Sequence, residues 1–418
     1  MRVLKWLYPG MKIKRWIILS AAGLFFIVIG TIEATGEFGN DYISILGIIV
    51  LVSGIILLII GIKRMVKSLI TIFVPTSRGK ELVDIVYKKR QLSRGPRVVV
   101  IGGGTGLSVL LQGLKVYTSN LTAIVTVADD GGSSGKLRQQ FNILPPGDIR
   151  NCLVALADAE PLMRDLFQFR FAEGTEFAGH NFGNIFITAM TKLCGDFDKA
   201  IEESSKVLAI RGQVIPSTLK RVTLMAEHRN GAKTYGESSI SKSKSPINLV
   251  HLLPENCQPT QSALEAIKNA EAIILGPGSL YTSILPNLII KNIPQAIEAS
   301  NAIKIYICNV MTQAGETDNY TAYDHFKAIQ RHAKANILDY CIVNTGTIPD
   351  VFLEKYQHEN AYPVKADIKK IREAGVSVIA DDVISMQDHV RHNSEKIASK
   401  VVDLLLELKY KGTTANNP

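Results

Sequence analysis

The sequence has few cysteines, and none of them has the spacing of a redox or metal motif. Its 418 residues include five cysteines with no CxxC pair. An odd number at wide spacing argues against a disulfide framework and against a cysteine-based zinc site, so we expect a body in a reducing, cytosolic compartment. Most of the five are interpreted as small core residues; they are Cys152, Cys194, Cys257, Cys308 and Cys341.

Most of the chain also lacks an excess of charge of either sign. The formal net charge is +9, but residues 1–97 carry 15 Lys and Arg against 5 Asp and Glu, and the remaining residues carry 32 against 33. A body near neutrality has no basic stripe of the kind that duplex nucleic acid requires, so no nucleic-acid partner is expected. The basic excess lies beside apolar stretches, where anionic lipid headgroups are the expected partner.

Two long stretches near the N-terminus have no charge at all. Residues 16–32 and 43–62 contain no Asp, Glu, Lys or Arg, and each is close to the length at which a helix crosses a hydrocarbon layer. A cleaved signal peptide and a buried soluble helix pair are the alternatives, but the first lacks a convincing small-x-small cleavage site after Ile32 and the second would need a partner for all faces. Basic residues lie outside the pair and acidic residues between them: Lys12, Lys14, Arg15, Lys63, Arg64 and Lys67 against Glu33, Glu37 and Asp41. By the positive-inside rule, both termini and the main domain face the cytoplasm.

These features divide the chain into four segments. We predict a basic segment with a two-span hairpin over 1–62, a basic juxtamembrane connector over 63–94 that contains a short helix at 81–91, a soluble domain over 95–410 and a tail over 411–418. The protein is therefore expected in the cell membrane as a two-span, multi-pass protein.

The soluble part alternates short apolar runs with helical patterns. Strands are predicted at 97–102, 121–128, 272–275, 303–309, 339–344 and 376–380, and helices at 107–114, 152–158 and 185–193. Such alternation predicts an α/β fold, a Rossmann-like, doubly wound and mostly parallel sheet whose ligand lies at the carboxyl ends of the strands. Residues 238–245 are predicted to be a hairpin turn or an exposed loop.

A glycine loop follows the first predicted strand. It is neither a full GxGxxG nor a Walker A loop, and a tight strand-to-helix turn is the alternative to a phosphate cradle. Glycines permit positive φ and close backbone approach, and the following helix start offers free N–H groups to an anion. The predicted contacts here are Gly102, Gly103, Gly104, Thr105 and Gly106.

Two acidic residues follow the second strand. Asp129 and Asp130 are predicted either to accept a sugar hydroxyl or to hold Mg²⁺, since carboxylates beside a phosphate loop suit that ion. An Asp-Gly turn is the alternative. The next residues form a second predicted anion nest: Gly131, Gly132, Ser133 and Ser134.

Four further polar motifs start helices or follow strands. Asp148 is predicted to bind ligand or to cap a helix, and His180 to act in proton transfer, to donate to phosphate or to be structural. No acid-base partner makes Ser279 a nucleophile, so its loop is interpreted as a binding loop whose hydroxyls and N–H groups meet an anion. The additional predicted contacts are Arg150, Asn151, Asn181, Asn184, Gly276, Gly278, Tyr281, Thr282, Asn309 and Thr312.

Taken together, these motifs resemble the gluconeogenesis factor (YvcK-like) family within the wider CofD-like 2-phospho-lactate transferase superfamily. The resemblance rests on GGGTGLS at 102–108, TVADDGGSSGKLR at 126–138, PPGDIRN at 145–151, GHNFGN at 179–184, GPGSLYTSILPN at 276–287 and NVMTQAGET at 309–317. Ala314 departs from the proline usual in the last motif, and many relatives lack the N-terminal hairpin.

The resemblance implies a regulator that binds UDP-N-acetylglucosamine or UDP-glucose and acts in cell shape and envelope synthesis on gluconeogenic carbon. It also aligns Tyr356 and Arg391 with contacts to the nucleotide sugar, although a surface aromatic and a solvated charge are the alternatives. A homo-oligomer and an envelope-synthesis protein are the expected partners. A Mg²⁺-dependent transferase is the second hypothesis and a dehydrogenase the third.

Overall fold

The computed structural model describes residues 14–35, 41–73, 82–159, 161–174, 176–243, 245–386 and 390–415. The chain folds into two compact units, Met1–Val86 and Tyr87–Pro418. The predicted features at Lys12, Glu37 and the last three residues of the tail lie outside the described residues.

The first unit is built on two apolar helices, α1 (Lys14–Ala34) and α2 (Asp41–Phe73). The segments Lys14–Ala34 and Ile45–Val66 are long and apolar enough to cross a membrane, by length and composition alone. They contain the predicted first span and nearly all of the second. Helix α2 continues beyond residue 62, because residues 63–73 contain neither glycine nor proline. The predicted connector therefore begins as helix.

Glycines line the contact between α1 and α2. Gly23 and Gly30 on α1, and Gly47, Gly54 and Gly61 on α2, recur every seven residues. A Cβ on Gly54 would lie 2.7 Å from the amide nitrogen of Ile27, and one on Gly23 would lie 2.6 Å from that of Leu58. The two backbones touch at positions where only glycine leaves room, as in close-packed membrane helix pairs.

The second unit is an α/β domain that begins at Tyr87, within helix α3 (Leu82–Ser93). Its strands are β1 (Val98–Gly102), β2 (Leu121–Val125), β3 (Gln213–Pro216), β4 (Thr223–His228), β5 (Lys233–Tyr235), β6 (Ile247–Leu253), β7 (Ala272–Leu275), β8 (Ile303–Ile307), β9 (Tyr340–Asn344), β10 (Ser377–Asp381), β11 (Ile384–Met386) and β12 (Val390–His392). Seven of them form one sheet in the order β10-β9-β8-β7-β1-β2-β3, and neighbouring strands in it pair in parallel.

The helices cover both faces of this sheet, as a doubly wound fold requires. They are α4 (Gly104–Leu114), α5 (Gly132–Phe141), α6 (Gly147–Leu156), α7 (Pro161–Gln168), α8 (Phe182–Cys194), α9 (Phe197–Val207), α10 (Glu237–Ile240), α11 (Gln261–Asn269), α12 (Leu285–Leu288), α13 (Ile293–Ala299), α14 (Ala322–Ala333), α15 (Asp350–His358), α16 (Ile368–Glu373) and α17 (Ser394–Ala415), with a π-helical turn over Leu280–Ile284. The predicted Rossmann-like α/β class is confirmed.

Strand β1 lies at the centre of the sheet and sets the position of the site. Its run of β-branched residues is buried throughout, as expected for a parallel strand covered on both faces. The chain runs from β1 to β2 and β3 on one side, and β7 to β10 lie on the other. Strand order therefore reverses between β1 and β7, and the carboxyl ends of these two strands form the crevice in which such sheets hold ligands.

Several helices begin earlier than the sequence predicts. Helix α4 begins at Gly104 rather than at 107, α6 at Gly147 rather than at 152, and α8 at Phe182 rather than at 185. The glycine and Asp-Ile-Arg motifs themselves form the first helical turns. Their N–H groups are consequently those that a helix leaves without an internal acceptor.

Two smaller sheets were not predicted. Strands β5, β4 and β6 form a three-stranded antiparallel sheet, and β11 pairs with β12. Residues 238–245, predicted as a turn or an exposed loop, are instead in part helical, since α10 covers Glu237–Ile240. These elements are short and partly polar, which is why their pattern is weak.

Candidate functional site

A cleft of about 480 Å³ opens at the point where strand order reverses. It lies between the loop after β1 and the loop after β7, and its outer wall comes from residues after β8, from α15 and from β12. Seven predicted contacts line it: Thr105, Gly106, Gly278, Asn309, Thr312, Tyr356 and Arg391. Residues from three predicted motifs, together with Tyr356 and Arg391, therefore meet in one cavity.

The two glycine loops approach each other more closely than side chains would allow. A Cβ on Gly106 would lie 2.6 Å from the carbonyl oxygen of Pro277, and one on Gly278 would lie 3.2 Å from the carbonyl oxygen of Gly103. Gly104 and Gly276 have φ values of +66° and +77°, in the region that favours glycine. The glycines are thus required both by backbone conformation and by this close approach.

The outer wall supplies polar groups to the cleft. The Oδ1 atom of Asn309 is buried and has no hydrogen-bond partner among the described residues. Arg391 is the only Lys or Arg among the described residues that line the cleft. Burial lowers the pKa of the neighbouring His392 to about 4, so that this imidazole is neutral at pH 7, and its Nε2 donates to the carbonyl of Cys308 at 3.0 Å. Arg391 thus supplies the positive charge.

Thr312 is already hydrogen-bonded within the protein, which the sequence does not show. Its hydroxyl accepts from the backbone N–H of Tyr362 at 2.8 Å, and its own N–H donates to the carbonyl of Tyr362 at 2.7 Å. The side chain is 4 % exposed. It shapes the cleft wall and fixes the segment that follows α15.

A group of carboxyls lies directly behind the first glycine loop. A Cβ on Gly103 would lie 2.6 Å from Oδ2 of Asp148. Burial, with the nearby charge of Asp129, raises the pKa of Asp148 to about 7, and burial also raises the pKa of Asp129. The pKa of Glu237 lies well above its usual range because of burial and the surrounding acids. Burial disfavours the ionised form of these carboxyls, and a cation bound beside them would stabilise it.

Asp129 and Asp130, the two residues predicted as possible ligands of Mg²⁺, form hydrogen bonds with different neighbours. Asp129 accepts from the N–H of Gly131 at 2.8 Å, and Asp130 accepts from the N–H of Ser238 at 2.9 Å and from the Ser238 hydroxyl. Among the described residues there is no group of three or more His, Cys, Asp or Glu side chains that is arranged to hold a metal ion. Such an ion would need additional oxygens, for which phosphate and water are the usual source.

Several predicted contacts lie behind the loops in a buried hydrogen-bond network. The hydroxyl of Ser133 lies 3.2 Å from Nδ1 of His180 and 3.2 Å from Nδ2 of Asn184, and it accepts from the N–H of Asn181 at 3.3 Å. Burial lowers the pKa of His180. This network joins the start of α5 to the start of α8 and holds both helix N-termini toward the site.

Arg150 lies near the same carboxyls. Its Nη2 donates to Oδ1 of Asn151 at 2.5 Å, and its Nε is buried without a partner among the described residues. The sequence also allows Asp148 to cap α6. It does not do so, because no side chain makes a capping hydrogen bond at the N-terminus of this helix. Instead Asp148 accepts from the N–H of Gly104. The motif at the start of α6 thus supports the first glycine loop through the hydrogen bond between Asp148 and Gly104.

Glu316 organises the loop after β7, a role that the sequence did not reveal. This buried carboxylate accepts from the hydroxyls of Ser279, Ser241 and Thr282, and its burial raises its pKa. The hydroxyls predicted to meet an anion are therefore bonded to Glu316. Tyr281 is also turned away from the cleft, and its hydroxyl lies 2.8 Å from that of Tyr320.

The predicted residues thus fall into three groups. Seven line the cleft, and Gly102, Gly103, Gly104 and Gly276 form the loops beside it. Asp148 lies behind the first loop with Asp129 near it, and Asp130 is bonded to Ser238. The remaining residues, Gly131, Gly132, Ser133, Ser134, Arg150, Asn151, His180, Asn181, Asn184, Ser279, Tyr281 and Thr282, are absent from the cleft lining.

This fold and site define a Rossmann-like α/β protein with its ligand crevice at the reversal of strand order. Residues 98–384 match the family described as 2-phospho-L-lactate transferase CofD. A gluconeogenesis factor of Bacillus subtilis is 49 % identical over 317 residues, which are 76 % of this chain and all of that protein. The chain therefore belongs to the CofD family, among the gluconeogenesis factors.

Other relatives agree with this assignment. A gluconeogenesis factor of Halalkalibacterium halodurans is 50 % identical over 73 % of this chain and 95 % of its own length. A Clostridium acetobutylicum relative is 42 % identical over 98 % of this chain and 93 % of its own, so its alignment includes the apolar helices. The crystal structure of protein BH3568 from Bacillus halodurans superposes with a TM-score of 0.72 at 49 % identity, covering 74 % of this chain and all of that one.

Proposed function

We propose that this protein binds a nucleoside-diphosphate sugar, UDP-N-acetylglucosamine or UDP-glucose, in the cleft between β1 and β7. The observation that carries the proposal is the meeting of two glycine loops at the reversal of strand order, with Arg391 opposite them. Helix α4 begins at Gly104, whose own N–H bonds to Asp148, and the N–H groups that follow in its first turn offer a partial positive charge to a diphosphate. Arg391 reaches the same diphosphate from the outer wall.

The remaining lining residues suit the nucleoside. Tyr356 gives the cleft an aromatic face on which a base stacks. Asn309 lines the cleft, and its side-chain amide hydrogen-bonds to the nucleoside or the sugar. Asp129 and Asp130 lie farther back and receive the sugar or a magnesium ion that the diphosphate also coordinates.

The role we propose is regulatory. Ligand occupancy in the cleft signals the supply of sugar nucleotide to an envelope-synthesis protein and so sets cell shape on gluconeogenic carbon. The two apolar helices keep this domain at the cytoplasmic face of the cell membrane, with both termini inside. No step of this role requires that the ligand be consumed.

Calorimetry on the full chain in detergent tests this proposal. UDP-N-acetylglucosamine is expected to bind and, by mass spectrometry, to remain intact over hours with Mg²⁺ present. Arg391→Ala is expected to bind more weakly, whereas Lys369→Ala, at a side chain that is 90 % exposed on α16, is the matched control. Failure of both UDP sugars to bind would remove the proposal.

One observation favours a second function, a Mg²⁺-dependent transfer of a phosphorus-containing group. The Asp148 carboxyl, with its pKa of about 7, lies against the glycine loop that would hold the diphosphate. A carboxyl with such a pKa exchanges protons readily at neutral pH. Product formation from a UDP sugar and an acceptor, abolished by Asp130→Asn, would place this function first.

A further inference from the structure

A second cavity, of about 600 Å³, shares two chain segments with the cleft but none of its lining residues. The loop after β7 contributes Pro277 and Gly278 to the cleft and Tyr281 to the second cavity. The segment after β8 contributes residues 309–314 to the cleft and 318–320 to the second cavity. Helix α14 forms another wall, so we call this second space the α14 cavity. The two cavities are therefore joined through their walls, while the spaces they enclose stay separate.

Three basic side chains from two parts of the chain line the α14 cavity. Lys327 and Arg331 lie four residues apart on α14, so that they project from the same face of this helix. Arg229, which follows β4, lines the cavity as well. Burial raises the pKa of Tyr281 above its usual value, and the charges of Arg229 and Arg331 act on the same hydroxyl in the opposite direction. Both guanidinium groups therefore lie near the Tyr281 hydroxyl.

These three cations lack a carboxylate partner among the described residues. No ion pair there includes Arg229, Lys327 or Arg331, although Lys327 lies 5.4 Å from the ring centre of Tyr323. His332 adds no charge at pH 7, because burial lowers its pKa to about 4. Like charges that converge without a partner repel one another, and an anion between them relieves that repulsion. A phosphate group suits the two guanidinium groups, because each can donate two parallel hydrogen bonds to it.

The two carboxylates of the lining limit the occupant to a small number of negative charges. Oδ2 of Asp324 accepts from the N–H and the hydroxyl of Thr321 at 2.9 Å each, and Oδ2 of Asp318 accepts from the N–H of Gly315 at 3.0 Å. The Oδ1 atom of each has no hydrogen bond within the described part of the chain and remains available to a ligand hydroxyl. Since these charges repel further anions, a nucleoside triphosphate or a nucleic acid suits the cavity poorly.

The rest of the lining suits a polar organic group. Asn248, Asn319 and Tyr320 line the cavity, and their amides and hydroxyl can pair with sugar hydroxyls. The described lining includes two aliphatic side chains, which leaves little surface for an acyl chain. The volume lies in the range of cavities that hold small organic ligands. We propose that the α14 cavity binds a phosphorylated hexose, with its phosphate among the three basic side chains and its hydroxyls on the carboxylates and amides.

Glu316 connects the two walls that the cavities share. It lies in the segment after β8, and its carboxylate accepts from the hydroxyls of Ser279 and Thr282 in the loop after β7. Tyr281 lies between these two residues in the sequence, so a ligand that orders Tyr281 acts on the same loop that carries Gly278 of the cleft. The hexose phosphate is therefore an effector of the cleft, a role that rests on the proposed function.

Calorimetry on the full chain in detergent, with glucose 6-phosphate, glucose 1-phosphate and fructose 6-phosphate, tests this site. At least one of them is expected to bind about tenfold or more tightly than inorganic phosphate. Arg331→Gln is expected to weaken that binding by about tenfold or more, the effect of losing one charged hydrogen-bond partner. Arg372→Gln, at an exposed position on α16, and Arg391→Ala, in the cleft, are the controls with unchanged affinity. No binding of any hexose phosphate, an affinity equal to that of inorganic phosphate, or an equal loss in Arg391→Ala would overturn the proposal.

Hydrogen–deuterium exchange measures the coupling without a sugar nucleotide. The hexose phosphate is expected to slow amide exchange at 276–284 and 309–320 in the wild type and not in Arg331→Gln. Slower exchange confined to α14 and the turn after β4 would overturn the effector role. The hexose phosphate is also expected to shift the affinity for UDP-N-acetylglucosamine by about fivefold or more, whereas Arg331→Gln alone binds this sugar nucleotide normally. If no UDP sugar binds, the proposed function fails, while the calorimetry and the exchange still decide whether the α14 cavity is a site.

Discussion

Gly106 and Pro277 lie in van der Waals contact across the cleft, on loops that are more than 170 residues apart in the sequence. A methyl group at Gly106 would lie 2.6 Å from the carbonyl oxygen of Pro277 and 3.1 Å from the α-carbon of Gly278. Since both neighbours are backbone atoms, neither can move as a flexible side chain would. The width of the cleft is therefore set at this contact.

Gly106→Ala is expected to push the two loops apart and to weaken binding of a UDP sugar by about tenfold or more, a loss of about 1.4 kcal/mol. Gly102→Ala is the matched control, because a Cβ there would meet only Leu107 side-chain atoms at 3.6 Å, an ordinary contact. Calorimetry on both variants measures the difference. Equal affinities would show that the loop contact does not shape the binding site.

Arg391→Ala is expected to reduce affinity roughly 10- to 100-fold, the range for loss of one hydrogen-bonded charge pair. The reason is that Arg391 is the sole Lys or Arg among the described lining residues. Arg391→Lys is expected to recover part of the loss, since Lys keeps the charge but not the bidentate geometry. The salt dependence of binding, measured for wild type and Arg391→Ala, is expected to be steeper in wild type; parallel dependences would argue against a charge contact.

Asp148 makes stability depend on pH. Its folded-state pKa of about 7 lies above the ordinary 3.8, so between these values the folded protein binds a proton that the unfolded chain lacks. Stability therefore falls as pH rises toward 7 and levels off above it. Asp148→Asn is expected to flatten the decline in melting temperature between pH 5.5 and 8, whereas Asp165→Asn, at an exposed position, is expected to leave it unchanged. Parallel curves for wild type and Asp148→Asn would contradict this account.

Gly54→Leu is expected to separate α1 from α2, because a side chain there would collide with the backbone of Ile27 at 2.7 Å. Spin labels on Ile18 and Ile59, both exposed, are expected to report a longer and broader distance in this variant. Ser53→Leu, one position away and exposed, is the control with an unchanged distance. An unchanged distance between the two spin labels in both variants would show that the glycines between α1 and α2 are not needed for the close packing of these helices.

The orientation of the hairpin is tested by cysteine labelling in intact cells. Thr35→Cys, between the two candidate spans, is expected to react with a membrane-impermeant maleimide added outside. Ser93→Cys is expected to react only after lysis, because the proposed topology puts the domain that follows it in the cytoplasm. The reverse pattern would invert the topology, and reaction of both positions only after lysis would argue against spans.

The sequence predicts the fold class correctly because the strands of a parallel sheet have long, uninterrupted runs of apolar residues that are easy to recognise. The Val-Val-Val-Ile run of β1 and the apolar run of β7 are buried throughout, as in parallel strands, and β8 and β9 each have three consecutive buried residues. Helix starts were placed too late, since Gly104 and Gly147 have low helix propensity but begin helices that tertiary contacts hold. Propensity alone cannot show that a glycine loop is already the first helical turn.

The sequence identified the cleft only in part. Motif positions at strand ends correctly brought Gly106, Gly278 and Asn309 together, because the carboxyl ends of parallel strands share one edge. The sequence pattern does not distinguish a side chain that contacts the ligand from one that supports the loop. Ser279 and Thr282 are therefore predicted to meet an anion, whereas in the structure their hydroxyls bond to Glu316. Pairing of Asp130 with Ser238 spans 108 positions and leaves no local signal.

A structure of the full chain with UDP-N-acetylglucosamine bound tests the central claim most directly. We expect the diphosphate between Gly104–Gly106 and Gly278, within hydrogen-bond distance of the first N–H groups of α4 and of the Arg391 guanidinium. A diphosphate bound elsewhere on the domain, with the cleft between β1 and β7 still open, would contradict the account.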